Sequence, residues 1–170
     1  MSVLTNEQKV EILSEIVAIP SVNDNELAVA QYLAQWLNQY DIDTHIDYIS
    51  GQRANLIATI GSGKPVVAVS GHMDVVNEGN HDDWTSPPFE LTERNGHLYG
   101  RGAADMKSGL AALVIAMIEI KASGQLKNGT IKLLATAGEE MEQAGSEQLY
   151  RKGYMDDVDA LVIAEPSYPS

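Results

Sequence analysis

The chain has 170 residues, the length of one domain or of part of one, and 44% of them are hydrophobic. Its formal net charge of −13 disfavours binding to nucleic acid or to an anionic membrane, since Lys and Arg dominate both interactions. The absence of cysteine excludes disulfides and thiolate chemistry. The longest apolar run, residues 110–118, is far shorter than the roughly 20 residues of a membrane span, and the N-terminus lacks a signal-peptide core. These features predict a cytoplasmic protein that binds neither nucleic acid nor membrane.

Two amphipathic helices are predicted at the start of the chain. Thr5 and Gln8 match a capping box, and apolar residues recur at helical spacing until Pro20 ends the first helix. The second helix opens within residues 23–26, and its apolar face extends over residues 30–37.

Strands and helices then alternate along the rest of the chain. The predicted helices cover residues 106–122 and 143–150. The predicted strands are short runs rich in apolar residues, and they cover 42–49, 54–60, 65–70, 129–137 and 160–164. Such alternation implies right-handed crossover connections. We therefore predict an α/β fold, with a mostly parallel sheet and helices on both of its faces.

Acidic side chains and one histidine follow the ends of three predicted strands, and a further acid precedes the long helix. Because ligands of open α/β sheets bind outside the carboxyl ends of the strands, these side chains are candidates for one site. The six residues are His72, Asp74, Asp105, Glu139, Glu140 and Glu165.

The pair formed by His72 and Asp74 is typical of a zinc ligand and its orienting partner. Imidazole nitrogen is a common zinc ligand, and a ligating histidine usually donates its other N–H to a carboxylate. Residues two apart on a strand lie on the same side, so Asp74 is well placed as this partner. The alternative is an ordinary polar turn at a strand end.

The adjacent acids Glu139 and Glu140 allow a division of roles. Neighbouring side chains in a loop can diverge, so that one binds a metal ion while the other takes a proton from water that the ion activates. A solvated acidic surface is the alternative.

For Asp105 the alternative is helix capping, because an acid at a helix start accepts hydrogen bonds from free N–H groups. Glu165 on its own is a common type of loop acid.

Other catalytic motifs fail at specific positions. The element from Gly100 to Gly102 is followed by Asp105, where a dinucleotide-binding loop requires its third glycine. A phosphate-binding loop at Lys64 would need a hydroxyl where Pro65 stands. The sequence contains neither the paired histidines of H-E-x-x-H zincins nor the G-x-S-x-G elbow of serine hydrolases.

Four motifs, in their order and spacing, resemble those of the zinc aminoacylase and carboxypeptidase family. Its members include succinyl-diaminopimelate desuccinylase, acetylornithine deacetylase, aminoacylase and glutamate carboxypeptidase. The resemblance extends over nearly the whole chain, and the motifs are SGHMDVV at 70–76, YGRGAADMK at 99–107, GEE at 138–140 and AEPS at 164–167.

The resemblance implies a zinc-peptidase-like catalytic domain with two divalent metal ions, zinc or cobalt, and a role for each of the six residues. The family hydrolyses an amide bond, and two metals that share a carboxylate can both polarise the carbonyl and activate water. By this resemblance His72 and Glu165 bind the first metal, Asp105 bridges both metals, Glu140 binds the second, Asp74 orients His72, and Glu139 is the general base.

The resemblance also implies that part of the family's catalytic domain is missing. Family members supply the remaining ligand of the second metal from a histidine near the C-terminus, after an inserted lid or dimerisation domain, whereas this chain stops at Ser170. We therefore expect residues 1–170 to be the N-terminal portion of the catalytic domain, with one complete metal site and little hydrolysis on its own. The parent enzyme is expected to form a homodimer through the missing domain.

Within the family, residues 103–107 and 165–167 most resemble the desuccinylase and acetylornithine deacetylase branch. The expected substrate is a small N-acyl amino acid, first of all N-succinyl-diaminopimelate, and acetylornithine deacetylase and dipeptidase activities are the alternatives. A non-catalytic metal-binding module is a further alternative, which Glu139 disfavours because a metal-storage site needs no base. A purely structural domain would require separate coincidences at several strand ends.

Overall fold

Within residues 2–167, which the computed structural model describes, the chain forms four α-helices and seven β-strands. The helices are α1 (Asn6–Ala18), α2 (Leu27–Gln39), α3 (Ser108–Ser123) and α4 (Ala144–Arg151). The strands are β1 (Asp43–Ser50), β2 (Arg53–Ser62), β3 (Val66–His72), β4 (Thr92–Arg94), β5 (His97–Tyr99), β6 (Gly129–Thr136) and β7 (Ala160–Ile163). No helix in this part of the chain has both the length and the apolar character that crossing a membrane requires.

Five strands form one sheet in the order β1-β2-β6-β3-β7, and β4 and β5 form a separate hairpin. Strands β6, β3 and β7 are parallel neighbours, whereas β2 is antiparallel to both β1 and β6. Four of the five strands therefore run in one direction, which confirms the predicted mostly parallel α/β sheet. Strand β2 is reversed because a tight turn at residues 51–52 joins it to β1, and parallel pairing would need a longer crossover.

Helices cover both faces of the sheet, as predicted. Helices α1, α2 and α3 enclose the main core on one face, where Leu56 of β2 and Leu133 of β6 are fully buried. Side chains alternate along a strand, so the next residues, Ile57 and Leu134, point to the opposite face. There they pack in a smaller cluster with Leu149 of α4.

The long helix begins later than predicted, at Ser108, because an irregular π-type turn occupies residues Ala103–Lys107. Asp105 has an extended backbone within this turn, with φ −116° and ψ 100°. Extended backbone cannot continue a helix, so Asp105 stands before α3 rather than within it. The spacing of apolar residues gives no sign of such a switch from helical to extended backbone.

The β4–β5 hairpin is absent from the sequence predictions. Its turn is formed by Asn95 and Gly96, which both have positive φ angles, 52° and 76°. Two successive residues of this kind define the type I′ turn that is typical of two-residue hairpins. Each strand has only three residues, too few for a recognisable alternation of apolar and polar side chains.

Strand β7 lies at one edge of the sheet and, among the described residues, pairs only with β3. All four of its residues are exposed. Helix α3 supports the segment that follows it, because Gly109 lies so close to Ala164 that a β-carbon on Gly109 would collide with the Ala164 carbonyl oxygen. Glu165 therefore follows a strand that is held by a single neighbouring strand and by α3.

Close packing between α4 and the end of β6 fixes the start of the loop that carries Glu139 and Glu140. Gly145 is the second residue of α4, and a β-carbon there would stand 2.5 Å from both the backbone nitrogen and the carbonyl oxygen of Ala137. Backbone atoms cannot move away by changing a rotamer, so a side chain at this position would force the helix and the strand apart.

We expect Gly145→Ala to lower the free energy of unfolding by about 1–3 kcal/mol, the usual cost of overpacking. Helix propensity alone predicts the opposite sign, because alanine stabilises a helix by up to about 1 kcal/mol relative to glycine. Urea denaturation measures the difference. The control is Glu147→Ala on the same helix, which loses only an exposed ion pair with Arg151. A Gly145→Ala protein at least as stable as the wild type would contradict the close packing.

Candidate metal centre

The structure places the six predicted site residues at one end of the sheet. The carboxyl ends of β6, β3 and β7 are adjacent because these strands are parallel neighbours, and the turn before α3 contacts the end of β3 through Met106. Residues just beyond these ends are therefore brought close together. The six residues are His72 at the end of β3, Asp74 just after it, Glu139 and Glu140 after β6, Glu165 after β7, and Asp105 in the turn.

Three carboxylates surround the Nε2 atom of His72. The distances from Nε2 are 3.1 Å to Asp105 Oδ1, 3.5 Å to Glu165 Oε1 and 3.9 Å to Glu139 Oε2. The imidazole is 1% exposed, whereas the three acidic side chains are 39–58% exposed. The site thus has a buried nitrogen at its base and acids that a solvent molecule or an ion can reach.

The other ring nitrogen of His72 determines which atom faces these acids. Nδ1 lies 2.9 Å from the carbonyl oxygen of Asp74. A carbonyl oxygen only accepts hydrogen bonds, so Nδ1 carries the proton and, in the neutral ring, Nε2 presents a lone pair. That lone pair faces carboxylate oxygens, which also lack protons. Only a bound proton or a cation at Nε2 relieves this repulsion.

Burial opposes protonation of His72, but three nearby groups outweigh it. The Asp74 carboxylate, the hydrogen bond to the Asp74 carbonyl and the contact with Asp105 together raise the pKa of the imidazole above its ordinary value. In the absence of a metal ion, a proton therefore occupies Nε2 over a wider pH range than in free histidine.

Asp74 holds the loop after β6 as well as contacting His72. Its carboxylate Oδ1 is 3.6 Å from His72 Nδ1, longer than the contact of that nitrogen with the Asp74 carbonyl. The same carboxylate accepts hydrogen bonds from the backbone N–H groups of Glu139 at 3.1 Å and Glu140 at 3.0 Å. Asp74 is fully buried, and it therefore fixes the adjacent acids relative to the end of β3.

Two sets of three donor groups are close enough together to hold a cation. One set is His72, Glu139 and Glu165, and the other is His72, Asp105 and Glu140, each with donor atoms within 4.8 Å of one another. The family resemblance implies a different grouping, in which Asp105 and Glu165 join His72 at the first metal. Both sets share His72, so the four acids are assembled around one imidazole.

The acids of this cluster are electrostatically unfavourable without a cation. Burial raises the pKa of Glu140, and repulsion from Asp105 raises it further. Burial also raises the pKa of Glu165; His72 acts in the opposite direction, and repulsion from Asp105 again favours the protonated acid. A divalent ion would neutralise this charge, and a set of one imidazole nitrogen and carboxylate oxygens suits zinc or cobalt.

Two residues that support the site were missed by sequence reasoning. The His72 backbone N–H donates to the Met106 sulfur at 3.2 Å. The Lys107 Nζ is buried and donates to the carbonyl oxygens of Ile16 at 2.6 Å and Ile19 at 2.9 Å. Burial lowers the pKa of Lys107 to about 7, although the charge of Asp74 opposes the shift. Both residues fall in the predicted helix 106–122, whose pattern carries no signal for these contacts.

The chain is similar to known proteins in both sequence and structure. The sequence profile of peptidase family M20/M25/M40 matches residues 68–170. A relative from Staphylococcus epidermidis, described as a probable succinyl-diaminopimelate desuccinylase, is 58% identical over 98% of this chain and 41% of its own length. A succinyl-diaminopimelate desuccinylase from Wolbachia pipientis is 35% identical over 93% of this chain and 40% of its own length. The chain thus spans about two fifths of the length of these relatives.

Solved structures share the fold. Human carnosine dipeptidase 1 has a TM-score of 0.80 and 28% identity, with 95% of this chain and 39% of that chain covered. An M20 family metallo-carboxypeptidase from Sulfolobus solfataricus also has a TM-score of 0.80, at 23% identity, with 94% of this chain and 38% of that chain covered.

The raised pKa of His72 predicts how the stability of the metal-free protein depends on pH. The stabilisation from protonated His72 is complete below the ordinary histidine pKa of 6.5 and is lost as the pH rises through the raised folded-state value. We expect the difference in free energy of unfolding between wild type and His72→Gln, which favours wild type at low pH, to shrink over that range. Lys107, whose pKa is lowered to about 7, titrates in both proteins and cancels from this difference. Urea denaturation between pH 6 and 9 in the presence of a chelator measures this difference.

His45→Gln is the matched control, because His45 is exposed on β1. Added zinc should reverse the trend, since zinc competes with the proton for Nε2 and binds better as the pH rises. Identical pH profiles for wild type and His72→Gln would contradict the assigned tautomer and its environment.

Proposed function

Because this chain belongs to peptidase family M20/M25/M40, we propose that it forms part of a metal-dependent amide hydrolase that removes the acyl group from an N-acyl amino acid. N-succinyl-diaminopimelate is the first candidate substrate, supported by the 58% identity to the Staphylococcus epidermidis relative. The observation that carries the proposal is the His72 lone pair facing several carboxylates, an arrangement that calls for a cation.

The proposed first metal site consists of His72, Asp105 and Glu165, and the second site includes Asp105 and Glu140. Their nitrogen and oxygen donors suit two divalent ions, zinc or cobalt. When bound, these ions would supply Lewis acidity that polarises the amide carbonyl and makes water easier to deprotonate. Asp74 would keep His72 in the ligating tautomer through its carbonyl oxygen.

Glu139 is the proposed general base. Its carboxylate is 44% exposed and lies 3.9 Å from His72 Nε2, while its backbone N–H is held by Asp74. One carboxylate oxygen would take a proton from water as the water oxygen bonds to the amide carbon. Glu139 would then give that proton to the amide nitrogen as the carbon–nitrogen bond breaks, which releases a free amine and a carboxylic acid that ionises at neutral pH.

We further propose that residues 1–170 form the N-terminal portion of the parent catalytic domain. Among the described residues, the second metal site has only two of its expected ligands, Asp105 and Glu140, so another segment would supply the remainder. The parent enzyme would act in the cytoplasm, pair as a homodimer through a further domain, and provide diaminopimelate for lysine biosynthesis. The chain alone should hydrolyse substrate poorly, because its described residues supply only part of the proposed second metal site.

Two other kinds of substrate are compatible with the same site. A dipeptide substrate is supported by the 28% identity to human carnosine dipeptidase 1, and an acetylornithine deacetylase would need only a smaller acyl group. A non-catalytic metal-binding module is disfavoured by Glu139, because its backbone is anchored within reach of the ligands although metal storage needs no base.

Zinc content per chain after dialysis tests the first metal site. We expect about one zinc ion per wild-type chain, because only the first ligand set is complete. His72→Ala should lose it, whereas His81→Ala, which removes an exposed histidine paired with Glu78, should retain it. A folded wild-type chain that binds no zinc would contradict the proposed site.

The role of Glu139 can be tested in a full-length chimera. Residues 1–167 would replace the corresponding segment of the Staphylococcus epidermidis relative, and hydrolysis of N-succinyl-diaminopimelate, N-acetylornithine and a dipeptide would be compared. We expect Glu139→Gln to lower kcat by about 10²–10⁴-fold, the usual contribution of a general base, and to leave zinc content unchanged. Glu147→Gln on α4 is the matched control. Full activity of the Glu139→Gln chimera would refute the assigned base, and an inactive parent chimera that binds zinc would favour the binding module.

A further inference from the structure

Arg53, the first residue of β2, lies against the loop formed by residues 138–142, which we call the acidic loop because it carries Glu139 and Glu140. The Arg53 side chain is only 11% exposed. Its Nη1 atom donates to the carboxylate of Glu142, at the far end of the loop, and lies 3.0 Å from Asp24 Oδ1. Arginine thus reaches the acidic loop from a strand that is two positions away from β3 in the sheet.

The guanidinium group also contacts the near end of the acidic loop. Gly138 has a positive φ of 73°, and a β-carbon at this position would collide with Arg53 Nη2. Glycine therefore serves two purposes here, since it permits the left-handed backbone and leaves room for the guanidinium. Arg53 touches the loop at both ends, on either side of the two functional acids.

A buried acid keeps the Arg53 side chain in place. Glu26 is fully buried, and its Oε2 atom is 3.8 Å from Arg53 Nε, so the two groups form an ion pair without a direct hydrogen bond. Burial raises the pKa of Glu26, and Arg53 is the nearby positive group that opposes this shift. Removing one member of a buried ion pair leaves the other charge uncompensated, so the arrangement favours a fixed guanidinium.

The acidic loop is therefore held from two sides. Asp74 accepts hydrogen bonds from the Glu139 and Glu140 backbone N–H groups, and Arg53 holds the ends of the loop. A hydrogen bond of 2.7 Å from the Gln143 N–H to the Gly138 carbonyl closes the loop on itself. Neither anchor alone restrains both the backbone and the ends.

We propose that Arg53 is a positioning residue that holds the acidic loop in the geometry required for cation binding. This inference rests on the proposed function, because it assumes that the residues around His72 bind a divalent metal. Arg53 acts through Glu142 and Gly138 and makes no direct contribution to the ligand set. Groups that orient metal ligands from behind typically contribute 10–100-fold to metal affinity.

For Arg53→Met, the loss of charge and the loss of positioning predict opposite changes in cobalt affinity. Arg53→Met removes a positive charge from the neighbourhood of a cation site, and simple electrostatics therefore predicts tighter cobalt binding. Positioning predicts weaker binding, because the acidic loop loses the contact at both of its ends. Glu142→Gln removes the ion pair from the exposed side, where the Glu142 side chain is 56% exposed and the fold is not at risk.

The test is cobalt(II) titration of the metal-free full chain, followed by the visible absorption of the bound ion. We expect Arg53→Met to bind cobalt about 10–100-fold more weakly than wild type, with altered absorption that reports a changed ligand geometry. Glu142→Gln should weaken binding in the same direction. The double variant should bind no more weakly than Arg53→Met, since both changes remove the same interaction.

Two further variants complete the test, one as a control and one as a substitute for Arg53→Met. Glu147→Gln removes the same charge as Glu142→Gln, but from an exposed ion pair on α4 away from the acidic loop. It should bind cobalt like wild type. Should Arg53→Met fail to fold by circular dichroism, Arg53→Lys keeps the charge, lacks the fork that reaches both loop ends, and is expected to bind cobalt about tenfold more weakly.

The outcomes separate this inference from the proposed function. Wild type that binds cobalt, together with Arg53 variants that bind it equally well or more tightly, overturns the positioning role and leaves the metal site intact. Folded wild type that binds no cobalt overturns the proposed function, and the positioning role with it. Weaker binding by Arg53→Met and Glu142→Gln, but not by Glu147→Gln, supports both.

Discussion

The hydrogen bond from His72 Nδ1 to the carbonyl oxygen of Asp74 is the interaction on which the chemistry of this site depends. It fixes the proton on one ring nitrogen and so directs the lone pair of the other toward Asp105, Glu139 and Glu165. Reversing the tautomer would turn the same ring into a hydrogen-bond donor for these acids, and no cation would be needed. A single backbone carbonyl thus decides whether the neutral ring donates a hydrogen bond to these acids or presents them with a lone pair that can bind a metal ion.

The surrounding fold holds this hydrogen bond in place with buried charge. Asp74 interacts electrostatically with both His72 and Lys107. The Lys107 amine is itself held by two carbonyl oxygens from the end of α1 and the residue after it. Because an unpaired buried charge is costly, each of these groups restrains its neighbours. The buried groups His72, Asp74 and Lys107 therefore form the rigid part of the site, and its exposed part consists of acids that a cation can draw together.

The sequence was sufficient to predict the α/β class and the placement of the six candidate residues at one end of the sheet. Acids after parallel strands must meet at one end of the sheet, so His72, Glu139 and Glu165 could be associated without coordinates. The contacts that orient them could not be predicted in this way. Asp74 and Glu139 are 65 residues apart, and Arg53 and Glu142 are 89 apart, so neither pair leaves a local pattern. The turn that holds Asp105 was missed for a different reason, since apolar periodicity extends the predicted helix back to residue 106 and gives no sign that the π-type turn continues to Lys107.

The proposed metal ligands are not held equally firmly, because one of them follows an exposed edge strand. His72 ends a central strand with neighbours on both sides, whereas Glu165 follows β7, whose described residues pair on one side only and are all exposed. Edge strands with few buried contacts open more readily than central ones, often while the rest of a domain stays folded. An ion shared by His72 and Glu165 would therefore act as a clasp between a central strand and the edge strand β7. Amide protons of β7 would then exchange slowly with solvent only while the clasp is closed.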